Sequence, residues 1–97
     1  MKIDLTAKGS IIVPLEESRG KFYASLNFHY SPDTHGPEVD LDIVHVYLLH
    51  PVLGSILFTL RYDRSFNIYY PTEDIRGVDT IILDKINTAI QRYIQHL

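Results

Sequence analysis

Between Asp42 and Arg61 the chain carries no Lys, Arg, Asp or Glu, and this uncharged run, Ile43 to Leu60, constrains the fold more than any other feature. Its first half is Ile43-Val44-His45-Val46-Tyr47-Leu48-Leu49 and its second is Ile56-Leu57-Phe58-Thr59-Leu60. Both are apolar or aromatic at odd and even positions alike, so as strands both of their faces need cover. His50-Pro51-Val52-Leu53-Gly54-Ser55 separates them. As one helix the run would rise about 27 Å, close to the thickness of a bilayer core. The central Pro and Gly, with β-branched and aromatic residues on either side, favour a hairpin of two strands over a membrane span.

A chain of 97 residues supports one hydrophobic core, so a single domain over residues 1–97 is expected. With 45 % hydrophobic and 22 % charged residues the composition is that of a globular protein, not a disordered one. No internal repeat or linker is visible. The absence of Cys removes disulfides, thiolate nucleophiles and cysteine metal ligands. Asp4 falls where a signal peptide needs an apolar stretch, and the cytoplasm is the expected compartment.

The net charge of -3 conceals a segregation. From Phe22 to Leu60 there is no Lys or Arg, while Asp33, Glu38, Asp40 and Asp42 all fall in that stretch. The basic residues elsewhere are scattered singly, which is not the footprint of a nucleic-acid binder. A basic or metal partner suits the acidic segment better.

Most of the chain reads as strands punctuated by turns. Lys2 to Thr6 alternates, and Lys8-Gly9 turns it. Ser10 to Leu15 contains Pro14, the mark of an edge strand. After Glu16-Glu17-Ser18-Arg19-Gly20 comes the clearest alternation, with Phe22, Ala24, Leu26, Phe28 and Tyr30 on one face and Tyr23, Ser25, Asn27 and His29 on the other. Ser31 to Glu38, with two prolines and a glycine, predicts a loop. Strands follow at Val39–Leu49, Ile56–Tyr62 and Phe66–Tyr70, and Pro71 ends the series. Short connections between them predict sequential antiparallel pairing.

The period then changes to 3.6. Val78, Ile82, Ile86, Ala89, Tyr93 and Leu97 share one helical face, widened by Ile81, Ile90 and Ile94. Asp79 suits the N-cap, and Thr72 followed by Glu73 and Asp74 offers an earlier start. The fold expected is α+β, a single meander-like antiparallel sheet of about five strands with one C-terminal amphipathic helix packed on one face.

One helix covers one face. With Phe22, Leu26, Phe28, Ile56, Phe58, Leu60, Phe66 and Ile68 toward it, the reverse carries Tyr23, Asn27, His29, Leu57, Thr59, Arg61, Asn67 and Tyr69. The central strand alternates Leu41, Ile43, His45, Tyr47 and Leu49 against Asp40, Asp42, Val44, Val46 and Leu48, so either register adds large side chains to the open side. Such a patch marks a protein-binding or oligomerisation surface, enriched in the aromatic and Arg residues of interface hot spots. Homodimerisation through the open faces, or by pairing an edge strand, accounts for it simply.

Motifs for chemistry are sparse. His29, Asp33, His35 and Glu38 are metal-ligating types within ten residues, but their spacing matches no metal motif, and no metal or cofactor is expected. His45 in an apolar strand is a candidate acid or base, though a core or interface histidine bonded to a backbone carbonyl or Tyr is the simpler reading. Gly9-Ser10 and Gly54-Ser55 lack the second glycine of a nucleophile elbow, and no phosphate-binding glycine loop exists. The residues therefore point away from an enzyme. The expected function is a small non-enzymatic protein-binding module of the adaptor, inhibitor or immunity kind. Its interface residues would be Tyr23, Asn27, His29, Asp33, Glu38, Asp40, Asp42, His45, Tyr47, Arg61 and Tyr69. The competing class is a small-molecule binder or enzyme using His45, His29, Tyr47 and Arg61 at a dimer interface.

Overall fold

The computed structural model describes residues 2–4, 10–17, 20–33, 36–73, 75 and 77–96, with side chains described within 11–16, 20–29, 40–73, 75 and 77–96. The alternating segments form β1 (Lys2–Asp4), β2 (Ser10–Glu17), β3 (Gly20–Asp33), β4 (Gly36–His50), β5 (Gly54–Asp63) and β6 (Ile68–Pro71), and the 3.6-period segment forms α1 (Thr80–Gln95). The strands make one antiparallel sheet in the order β2-β3-β4-β5-β6, with the short β1 pairing β4. This is the expected meander with one C-terminal helix, and the uncharged run is its β4–β5 hairpin.

The predicted loop from Ser31 to Glu38 is shorter than expected. Strands run to Asp33 and resume at Gly36, with Thr34 and His35 outside the described residues. Pro32 pairs with Pro37, so both missing N–H donors fall on a single rung and the ladder closes around them. Strands of 14 and 15 residues rise about 46–50 Å. They set the long dimension of the molecule, 45 Å.

The β3–β4 ladder breaks once. Phe28 pairs with Val44 but His29 with Asp40, leaving Leu41, Asp42 and Ile43 bulged out of register. An odd number of extra residues reverses the alternation of the strand. Leu41 is therefore buried together with Val44, Val46 and Leu48, and not on the face of His45 and Tyr47 where strict alternation predicts it. The Asp40 carboxylate accepts the Asp42 backbone N–H at 2.9 Å within the bulge.

Asp79 is the N-cap of α1, its carboxylate accepting the Ile82 N–H at 3.0 Å, which settles the two starts in favour of the later one. Ile82, Ile86 and Ile90 bury fully beneath the helix, against Ala24, Leu26, Val44, Val46, Leu48 and Leu60 of the sheet. Ile81, expected to widen the apolar face, is exposed. The helix is about 24 Å long, roughly half the length of the hairpin. Tyr93 in its last turns stacks on Phe28 with ring centres 5.5 Å apart, so the far ends of β3 and β4 run beyond it. At the other end, buried His50 accepts the Val52 and Leu53 N–H groups on Nδ1, each at 3.0 Å, and packs its ring on Phe22. That histidine holds the turn of the uncharged hairpin.

Tyr69 corrects the face predicted for β6. Phe66 and Asn67 belong to the turn before β6, where Asn67 takes a left-handed φ of 53° and the Asp63 carboxylate accepts the Ser65 N–H. The strand begins at Ile68, with Tyr69 opposite Tyr62. Tyr69 is buried on the helix side and donates its hydroxyl to the Leu41 carbonyl, a backbone acceptor the bulge has taken out of the β3–β4 ladder. Phe66 and Ile68, predicted to face the helix, are exposed.

Candidate functional site

No second layer covers the other side of the sheet among the described residues, and the registers place its side chains in rows. Pro14, Tyr23, Leu49 and Ser55 lie side by side across β2 to β5, and the next row is Ile12, Ser25, Tyr47 and Leu57. A third row runs Asn27, His45, Thr59, and a fourth Ile43, Arg61, Tyr70. Leu57 is 71 % exposed, Ile12 63 % and Tyr23 57 %, with Leu49 and Tyr47 also exposed. The first two rows thus form a contiguous apolar and aromatic patch that ends at the β4–β5 turn, where Val52 is exposed as well.

The third row is polar and internally bonded. His29 Nδ1 lies 2.9 Å from His45 Nε2, and His45 Nδ1 lies 3.2 Å from the Thr59 hydroxyl. Partial burial pushes the His45 pKa below its ordinary value, and the neighbouring His29 adds to the shift because two imidazolium charges would repel. Tyr47 donates its hydroxyl to Ser55, and the Asn27 amide donates to Ser25. Hydrogen bonds therefore fix several of the polar side chains on the face.

Tyr23, Asn27, His29, His45, Tyr47 and Arg61 are brought together on this face, as their positions in the alternation predict. Tyr69 is not among them. Asp42 lies in the bulge and approaches Arg64 at 4.0 Å, while Asp40 pairs with His29 beside the bulge and so shares the side of the sheet that carries His29. Both carboxylates raise the pKa of Tyr69, after the larger effect of its burial. Asp33 and Glu38 are placed by backbone alone, Asp33 opposite Gly36 and Glu38 opposite Ser31, and their side chains lie outside the described residues. His35 lies outside them altogether. Among the described residues no group of three or more metal-ligating side chains occurs. Ile12, Leu49 and Leu57 belong to the surface but not to the predicted set, although period-2 alternation alone places each of them there.

Two hollows border this face, both sharing Tyr23 with it and the smaller also Leu49 and Ser55. A groove of about 1130 Å³ separates β2 from α1, walled by Ile11, Val13, Ala89 and Tyr93 with Lys85 and Arg92 at its rim. A smaller hollow of about 320 Å³ sits by Phe22, His50 and Pro51. Neither is lined by His29, His45, Tyr47 or Arg61. No described helix is long and apolar enough to cross a membrane.

The sheet edges differ from the face. Pro14 sits on edge strand β2, and a strand proline is tolerated where its missing N–H would point outward. Ile12, Pro14 and Glu16 then share the outward-pointing backbone, so the edge lacks its central donor, and Lys85 donates to the Glu16 carbonyl at 3.1 Å. On the opposite edge the Asn87 amide accepts the Tyr69 N–H at 2.7 Å and donates to the Tyr69 carbonyl at 2.9 Å. The β2 and β6 edges are thus blunted by residues of the chain itself, as in proteins that avoid edge pairing, whereas β1 and the end of β3 beyond Phe28 pair only with β4 among the described residues. Comparison with protein-family models, with curated proteins and with solved structures gives no match.

Proposed function

We propose that this chain is a small non-enzymatic protein-binding module, of the adaptor, inhibitor or immunity kind, that acts through the open face of its sheet. The observation that carries the reading is the uncovered pair of rows holding Ile12, Tyr23, Tyr47, Leu49 and Leu57. Apolar surface buried on association contributes roughly 25 cal/mol per Å², and rigid aromatic side chains concentrate binding energy. The blunted edges direct association to the face. Asp40 serves the bulge, so the acidic segment contributes less to the reading than the rows do.

The competing reading, a small-molecule binder or enzyme built on His45, His29, Tyr47 and Arg61, draws on the His29–His45 contact, but neither hollow among the described residues is lined by those four side chains. The test is affinity capture from the cells that make the protein, using wild type and a Tyr23→Lys, Leu57→Lys variant. Proteins retained by wild type and lost by the variant are expected, the chain's own copies counted among them. Identical profiles from two equally folded baits refute the reading.

A further inference from the structure

We infer that the occupant of the open face is a second copy of this chain, packed face to face across a twofold axis. The inference rests on the proposed protein-binding role of that face and names its partner. Three observations favour a copy over a different partner.

The first is charge. The two rows that carry the large side chains hold no charged residue, and the charges that flank them on the same face are of both signs, Glu16 beside Lys21 at one end and Arg61, Asp63 and Asp40 toward the other. Such a surface offers little to steer a strongly acidic or basic partner, and little to repel its own image. An isologous contact sets the same patch against itself, so a neutral patch meets no like charge. The second is the composition of the rows. Tyr23, Tyr47, Leu49 and Leu57 stand beside small Ser25, Ser55 and Thr59, giving knobs and hollows within one surface. A twofold rotation lays the large side chains of one copy over the small ones of the other, as in aligned sheet-on-sheet packing.

The third is area. Strands β2 to β5 pair over eight residues at β2–β3 and again at β4–β5. Four strands about 4.8 Å apart and about 26 Å long present roughly 500 Å² in flat projection, and β6 adds to it. Two copies together exclude about 1,000 Å² before side-chain relief is counted, which reaches the threshold for a specific interface. Pairing through β2 or β6 would need edges that Pro14, Lys85 and Asn87 obstruct.

The test is sedimentation equilibrium of the full chain from about 5 to 200 µM at pH 7.5. A mass of twice 11.2 kDa is expected for wild type. Leu57→Lys and Tyr47→Lys should each weaken dimerisation at least tenfold with an unchanged circular dichroism spectrum, and Ile81→Lys, on the exposed flank of α1, should not. Because the chain has no Cys, Ser25→Cys, Tyr47→Cys and Leu57→Cys offer a second measurement, free of added charge. At least one of them should form an intermolecular disulfide under mild oxidation. A monomer throughout the range overturns the inference; the face itself then still stands or falls on the capture experiment. A dimer untouched by both lysine variants, or no disulfide from any of the three cysteines, also overturns it.

Discussion

Removing one oxygen atom, in Tyr69→Phe, tests whether the β4 bulge is held as the structure shows. The Tyr69 ring is 3 % exposed and its hydroxyl is the donor to the Leu41 carbonyl. The ring can stay in place in the variant, packed on Tyr62 with centres 5.1 Å apart, but the carbonyl loses its buried donor. Leaving a buried acceptor unsatisfied costs about 1–3 kcal/mol. For a chain of this size each kcal/mol moves Tm by about 4–8 °C, so about 2 kcal/mol lowers it by roughly 8–16 °C. Tyr62→Phe is the matched control, since it deletes an exposed hydroxyl bonded to Asn67 and should cost only a few tenths of a kcal/mol. Both are read by thermal and urea unfolding at a fixed protein concentration, which holds any contribution from association constant. Equal shifts in the two variants would refute the buried bond.

The same hydroxyl has a signature in alkali. Burial first, then Asp42, Tyr62 and Asp40, raise the Tyr69 pKa well above its ordinary 10. The folded state therefore holds a proton that the unfolded state releases above pH 10. Stability from this group is full below pH 10 and declines as pH rises toward the folded value. Phenolate absorbance should show one of the seven tyrosines ionising only as the chain unfolds, and Tyr69→Phe should remove that late step.

Asn87→Ala removes both side-chain bonds that close the β6 edge and should cost about 1–3 kcal/mol while speeding aggregation on heating, followed by light scattering. Asp79→Ala should cost about 1 kcal/mol through loss of the N-cap bond, whereas Asp79→Ser should restore most of it in urea melts. The His45 pKa is lowered by partial burial and by His29, so below pH 6.5 the unfolded state takes up its proton first. Stability from this group is full above pH 6.5 and falls as pH drops through the folded value, and His45→Gln should flatten that part of the urea-midpoint profile.

The elements of this fold were legible because each follows one hydrophobic period. Strict alternation in Phe22 to His29 places Phe22, Ala24, Leu26 and Phe28 on the core face of β3, and the spacing of Ile82, Ile86 and Ile90 places the helix face. Period says nothing about where it resets. The insertion of Leu41 to Ile43 leaves no local mark, because Asp40-Leu41-Asp42-Ile43 keeps the polar–apolar alternation of an ordinary strand, and only the pairing with β3 reveals it. Tyr69 was misplaced for a related reason. Phe66 and Ile68 make a better apolar pair than Asn67 and Tyr69, so alternation alone favours the wrong face. What decides is non-local, a tyrosine hydroxyl meeting a carbonyl 28 residues earlier in the chain that the bulge has taken out of its ladder. The open face was legible for the opposite reason. Counting layers requires only that one helix is about 10 Å wide and that strands lie about 4.8 Å apart, so a sheet with one helix must leave one side to something else. The blunted edges narrow that further. Pro14 was readable as an edge signal from sequence, but the Lys85 and Asn87 contacts join residues 69 and 18 positions apart and need the fold to be seen. Together they leave a surface that meets its partner by packing side chains, and a single charge placed at Leu57 should matter more to association than any change along either edge.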